Sequence, residues 1–145
     1  MFERILVVCI GNICRSPVAE AMLTQALPGR RIESAGLGAL VGQGADPTAQ
    51  QIAAEDGLDL SQHQARQISL DMLQAADLVL VMSEGQRRAV GEQLPAALGK
   101  TMLIGRWLAD GSGREIPDPY RKSHEAFEHV HQLLKDATAA WVSKL

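Results

Sequence analysis

Hydrophobic positions change their period several times along the chain. Ile5-Leu6-Val7-Val8 is a continuous, largely β-branched run, the mark of a strand buried on both faces, as in parallel sheets covered by helices. Leu78-Val79-Leu80-Val81-Met82 has the same character, and Arg31 to Ser34 and Thr101 to Ile104 are weaker strand candidates. Between these runs the period lengthens. Ser16-Pro17 offers a capping hydroxyl and a preset φ for a first helix, with Val18, Ala21, Met22 and Ala26 on one stripe and Pro28-Gly29 as its stop. Asp46-Pro47 opens a second helix that Gly57 can close, Ser69 caps a short third through Ala75, and Glu84 to Glu92 makes a fourth. Phe127, Val130, Leu134, Ala137 and Trp141 recur at steps of three and four, which predicts an amphipathic final helix.

Strands alternating with helices in this way predict an α/β fold. We expect a three-layer sandwich around a central four-stranded parallel sheet, doubly wound in the flavodoxin-like manner with right-handed crossovers. No internal repeat and no linker-like stretch interrupts the pattern, so residues 1–145 are expected to form one domain. In such sheets ligands bind beyond the carboxyl ends of the strands, near the switch in strand order. The end of the first strand is therefore where chemistry is sought.

Composition narrows the classes. Aromatic residues make up only 3% of the 145, so the core must rest on aliphatic and alanine packing. The formal charge is −3, with no basic stripe of the kind a nucleic-acid module shows. The longest apolar run, Ile5 to Ile10, falls far short of the roughly 20 residues of a membrane span. The N-terminus lacks the basic start and cleavage site of a secretory signal, so membrane insertion is not expected and a cytoplasmic location is. Two cysteines make neither a disulfide framework nor a zinc site. They are expected to be free thiols, with no metal and no cofactor.

The first strand ends in Cys9-Ile10-Gly11-Asn12-Ile13-Cys14-Arg15-Ser16, with a helix starting directly after it. A short loop closing onto a helix N-terminus can aim several backbone N–H groups at one point, and the helix dipole adds positive potential there. Gly11 and Asn12 tolerate the left-handed angles such a nest needs. Arg15 adds a planar fork suited to two oxygens of a phosphate-like anion. The same field favours the thiolate of Cys9, the nucleophilic form of cysteine. Ser16 can hydrogen-bond that sulfur when it becomes the leaving group. The loop from Ile10 to Ser16 thus reads as a phosphate cradle and Cys9 as a nucleophile. On this reading Arg15→Lys keeps the charge, loses the fork and leaves stability nearly unchanged.

The segment Val8 to Ser16 resembles the phosphate-binding loop of the low-molecular-weight protein tyrosine phosphatases. The likeness continues through Glu33-Ser34-Ala35-Gly36, Gly44-Ala45-Asp46-Pro47, His63-Gln64-Ala65-Arg66, Ala76 to Met82 and Asp118-Pro119-Tyr120, in family order. It is most similar to the bacterial branch associated with exopolysaccharide and capsule export. The resemblance implies phosphotyrosine hydrolysis through a phosphocysteine, with Cys9, Arg15 and Asp118 as catalytic residues and an autophosphorylated tyrosine kinase as partner. It gives Asp118 the role of proton donor to the leaving phenol. Aspartate ordinarily ionises near pH 3.9, so a mildly acidic optimum is expected, where protonated Asp118 and thiolate Cys9 coexist.

The resemblance further implies a reversible Cys9–Cys14 disulfide, with a buried, inert Cys14 as the alternative reading. Asn12 is expected to lock the loop and Ser34 to support it from the next strand. The family often has an aromatic residue after the second strand, but Leu37 to Gly42 has none. Leu40 then takes that wall of the substrate pocket. Tyr120 either stacks on the substrate ring or packs its own turn. His124, His129 and His131 have no zinc-ligand partners in the sequence and are read as solvated, and His63 as a brace for the Asp46 or Arg66 region.

Three alternatives compete. Arsenate reduction on the same scaffold needs two further cysteines that the chain lacks. A thiol redox protein would leave Arg15, the nest and Asp118 without purpose. A silent phosphoprotein-binding module would not need both nucleophile and acid. Neither the natural phosphoprotein nor the oligomeric state is legible in the pattern.

Overall fold

The computed structural model describes residues 2–145. Strands β1 (Arg4–Cys9), β2 (Arg31–Gly36), β3 (Leu78–Val81) and β4 (Thr101–Leu103) form one sheet in the order β2-β1-β3-β4. Every pairing is parallel, with Val7 opposite Ser34 on one side and Leu80 on the other. Helices α1 (Arg15–Ala26), α2 (Pro47–Glu55), α3 (Leu70–Ala75), α4 (Glu84–Gln93) and α5 (His124–Val142) connect and flank the strands. A 3-10 turn over Pro95–Lys100 leads into β4. This is the doubly wound α/β architecture expected from the pattern.

The continuous apolar runs are explained by burial on both faces. Ile5, Val7, Cys9, Leu78 and Leu80 join Val18 and Leu23 of α1, Ile52 of α2 and Leu134 of α5 in one core. Their neighbours Leu6, Val8, Val79 and Val81 join Leu73 of α3 and Val90 of α4 in the other. Cys9 therefore leaves the sheet on the α1 side. The chain passes from β1 to β2 on one flank and then places β3 on the other, so the switch in strand order falls beside the end of β1.

Two helix expectations need correction. α1 starts at Arg15 with Cys14 in the cap position and no side-chain cap. Ser16 lies inside the helix and is free for another use. Its buried stripe is Val18, Ala19, Met22 and Leu23, while Ala21 is half-buried and Ala26 exposed. The cause is that α1 packs between the sheet and α5, so its wider central face is covered and its end is not.

α5 buries all five residues of the predicted stripe, but it also buries His131, which had been read as solvated. His131 Nε2 lies 2.6 Å from Asp56 Oδ2, and Lys135 Nζ lies 3.3 Å from the same oxygen. Hydrogen bonds from these two groups, His131 first, hold the Asp56 carboxyl below its usual range. His124 and His129 are exposed, as expected. Trp141 Nε1 donates to Ile104 O at 2.9 Å and ties α5 to the end of β4.

Candidate active site

The loop after β1 is built by tying its carbonyls outward. Leu37 N donates to Cys9 O (2.9 Å), Gly38 N to Ile10 O (3.0 Å), Leu40 N to Gly11 O (3.1 Å) and Asp46 N to Ile13 O (2.9 Å). His63 Nε2 donates to Asn12 O at 2.6 Å. In a trans peptide the N–H opposes the C=O, so five outward carbonyls turn the amides of Ile10 to Cys14 toward the loop's centre. The N-terminus of α1 opens onto the same centre and adds positive potential.

Side chains beneath the loop hold that shape. Asn12 is fully buried with φ 59°, the one left-handed residue of the loop. Gly11, expected to share that conformation, does not. Asn12 Nδ2 donates to Ser16 Oγ (2.7 Å) and Ser34 Oγ (3.0 Å), while Asn12 Oδ1 accepts from Arg66 N (3.0 Å). Ser34 in turn donates to Glu20, and Arg66 pairs with Glu33 at 2.7 Å. Ser16 Oγ lies 2.9 Å from Cys9 Sγ, which explains why its hydroxyl caps no helix. A Cβ at position 36 would sit 2.4 Å from Ile10 O, so only glycine there lets the loop seat against β2.

Arg15 is 4% exposed. Its Nη1 donates to Ile116 O at 2.8 Å and its Nη2 faces Asp118 Oδ2 at 3.7 Å. Its buried Nε has no protein acceptor among the described residues. Ile116 itself is buried and donates to Met82 O at 2.9 Å, so the loop carrying Asp118 is fastened to the end of β3 and to Arg15 together. Asp118 Oδ1 accepts from Tyr120 N at 3.1 Å, and its side chain is 46% exposed.

These groups line one cleft of about 170 Å³. Its floor is Cys9, the loop from Ile10 to Gly11, Ile13, Cys14 and Arg15; its walls are Gly38 and Leu40 on one side and Asp118 and Tyr120 on the other. The residues singled out in sequence thus converge, except that Asn12 and Ser16 lie behind the loop rather than on the cleft. His63 was expected to brace Asp46 or Arg66. It holds the loop carbonyl of Asn12 instead, and Ile116 and Glu20 were not anticipated at all.

Cys9 and Cys14 are both free and buried. Burial, with the charges of Asp46, Asp118 and Cys9 added, pushes the Cys14 thiol up to about 12 against a smaller opposing pull from Arg15. A thiol that titrates there stays protonated throughout the working range of an enzyme, and thiolate is the reactive form. Iodoacetamide at pH 7 is therefore expected to modify at most one cysteine. Peptide mapping that finds Cys14 alkylated in the folded protein would contradict this.

A positive cup at a sheet's switch point, closed by a buried arginine, defines an anion-binding α/β domain. The family model for the low molecular weight phosphotyrosine protein phosphatase matches residues 4–145. The low molecular weight protein-tyrosine-phosphatase Wzb of Escherichia coli strain K12 is 50% identical over 145 residues, all of this chain and 97% of that protein. The crystal structure of the tyrosine phosphatase AmsI of Erwinia amylovora superposes with a TM-score of 0.95 at 49% identity, covering 100% of this chain and 94% of the other. Wzb of Vibrio vulnificus in complex with benzylphosphonate gives 0.95 at 44%, with both chains fully covered. The chain belongs to the low molecular weight phosphotyrosine protein phosphatase family and is a protein-tyrosine-phosphatase. Among the described residues, no helix is long and apolar enough to cross a membrane.

Proposed function

We propose that the chain removes phosphate from protein phosphotyrosine by two in-line displacements through a phosphocysteine on Cys9. The observation that carries this reading is the set of five outward-tied carbonyls, which leaves a ring of amides and the Arg15 fork around Cys9. In the first step the Cys9 sulfur forms a bond to phosphorus as the bond to the phenol oxygen breaks, and Asp118 gives that oxygen its proton. In the second, water attacks phosphorus, ionised Asp118 takes its proton, and the sulfur leaves as thiolate. The Ser16 hydroxyl, 2.9 Å from Sγ, stabilises the departing sulfur. The loop amides and Arg15 bind the three equatorial oxygens in both steps. Neither step calls for a metal or an organic cofactor.

The ring of the substrate lies between Leu40 and Tyr120, the cleft's two walls. Benzylphosphonate, bound by Wzb of Vibrio vulnificus, presents the same pairing of aromatic ring and phosphoryl group. The partner proposed is an autophosphorylated bacterial tyrosine kinase of polysaccharide export, with the reaction in the cytoplasm, where free thiols persist. Arsenate reduction would require a relay of further cysteines, and the chain has two in all.

Release of phosphate from phosphotyrosine peptides tests the activity, and Asp118→Asn tests the proton transfer. On aryl phosphates with poor leaving groups the variant is expected to lose about 10²–10⁴-fold in turnover, the usual worth of general acid catalysis. Activated phenols need less protonation and should lose far less. Equal losses across a leaving-group series would make Asp118 structural.

A further inference from the structure

The turn that carries Asp118 continues past the cleft into Arg121 and Lys122, both exposed. Neither forms an ion pair among the described residues, although acidic side chains outnumber basic ones in the chain, 17 to 14. Of the carboxylates close in sequence, Asp118 faces Arg15 and Glu115 accepts from Glu84 N at 2.9 Å, while Glu125 lies in the first turn of α5 and pairs with neither cation. The Arg121 guanidinium sits 5.3 Å from the centroid of the Tyr120 ring, the ring that walls the cleft. Arg121 also has φ 61°, a left-handed backbone that arginine adopts at a cost. Across the cleft the wall from Leu37 to Gly44 has no charge, and its Val41 is 68% exposed. The mouth is therefore electrostatically one-sided.

Resting on the phosphotyrosine reading above, we infer that Arg121 and Lys122 form an anion-reading subsite. The preferred substrate has an acidic residue one or two positions from its phosphotyrosine. The span fits. An extended peptide advances about 3.3–3.6 Å per residue, so a carboxylate at that separation reaches from a ring held against Tyr120 to the cations beside it. Two exposed cations contribute modestly each, and their attraction is screened by salt. The effect belongs in encounter and binding rather than in the chemical step.

The test uses paired phosphotyrosine peptides that differ only by Glu or Gln at the two positions on each side. With the unaltered protein at low ionic strength, kcat/KM for the acidic peptide is expected to exceed that for the neutral one roughly five-fold, mainly through KM. The advantage should shrink toward one at high salt. In the double variant Arg121→Gln, Lys122→Gln the ratio is expected to fall near one at low salt, whereas Arg121→Lys should retain it. A thermal melt checks that each variant is folded. A ratio near one in the unaltered protein, or an undiminished ratio in the double variant, overturns the inference. If neither peptide releases phosphate, it is the phosphatase reading that fails.

Discussion

Turnover of p-nitrophenyl phosphate is expected to fall by roughly 10⁴-fold or more when Cys9 is replaced by serine, as happens when a covalent nucleophile is removed. The serine hydroxyl is a weak nucleophile at neutral pH. The fold should be little affected. Cys9 is 2% exposed and shares a 2.9 Å hydrogen bond with Ser16, which serine can also make. The check is a pair of measurements: steady-state turnover, and mass spectrometry of acid-quenched protein. The unaltered protein should show an increment of one phosphoryl group on the peptide containing Cys9, and the variant none. Turnover surviving the substitution would remove Cys9 from the mechanism.

Arg15→Lys is expected to lower kcat by on the order of 10²–10³-fold, the range seen when one preorganised donor to a developing oxyanion is lost. Lysine keeps the charge but presents a point rather than a fork. The sequence suggests that stability would hardly change, and the structure corrects this. Arg15 Nη1 donates to Ile116 O inside the protein, and hydrogen bonds to charged groups contribute about 1.5–3 kcal/mol each. Losing it should lower the melting midpoint by roughly 4–8 °C for a chain of this size. The segment that carries Asp118 would loosen as well, because Ile116 is its anchor. A lysine variant with full turnover would show that the paired geometry is unnecessary. One with lost turnover and an unchanged midpoint would show that the Ile116 bond carries no stability.

What could be read from residues alone was whatever lies close in sequence. The run Ile5 to Val8, the loop that follows it and the helix behind it are contiguous, so apolar patterning and loop chemistry together located the cradle. The same holds for Phe127 to Trp141, where one helix face records its own burial. What escaped depends on partners brought from far along the chain. His63 holds Asn12 across 51 positions, and Arg15 reaches Ile116 across 101; no local period encodes either. Ser16 is only half legible: its hydrogen bond to the Cys9 sulfur, at 2.9 Å, is the one its place in the loop suggests, whereas the helix cap that a hydroxyl before Pro17 suggests does not form. His131 was misread because an isolated histidine on a helix ordinarily faces water. Here Asp56, 75 positions away, partners its Nε2 while the helix face around it is buried.

The outward-tied carbonyls carry one more consequence. Their partners all belong to the protein's own fold, so the receptacle is shaped by the chain and not by the ester. Orthophosphate presents to those amides the same oxygens as the ester did. On the proposed reading the product is thus its own competitor, and inorganic phosphate is expected to inhibit turnover in competition with the ester.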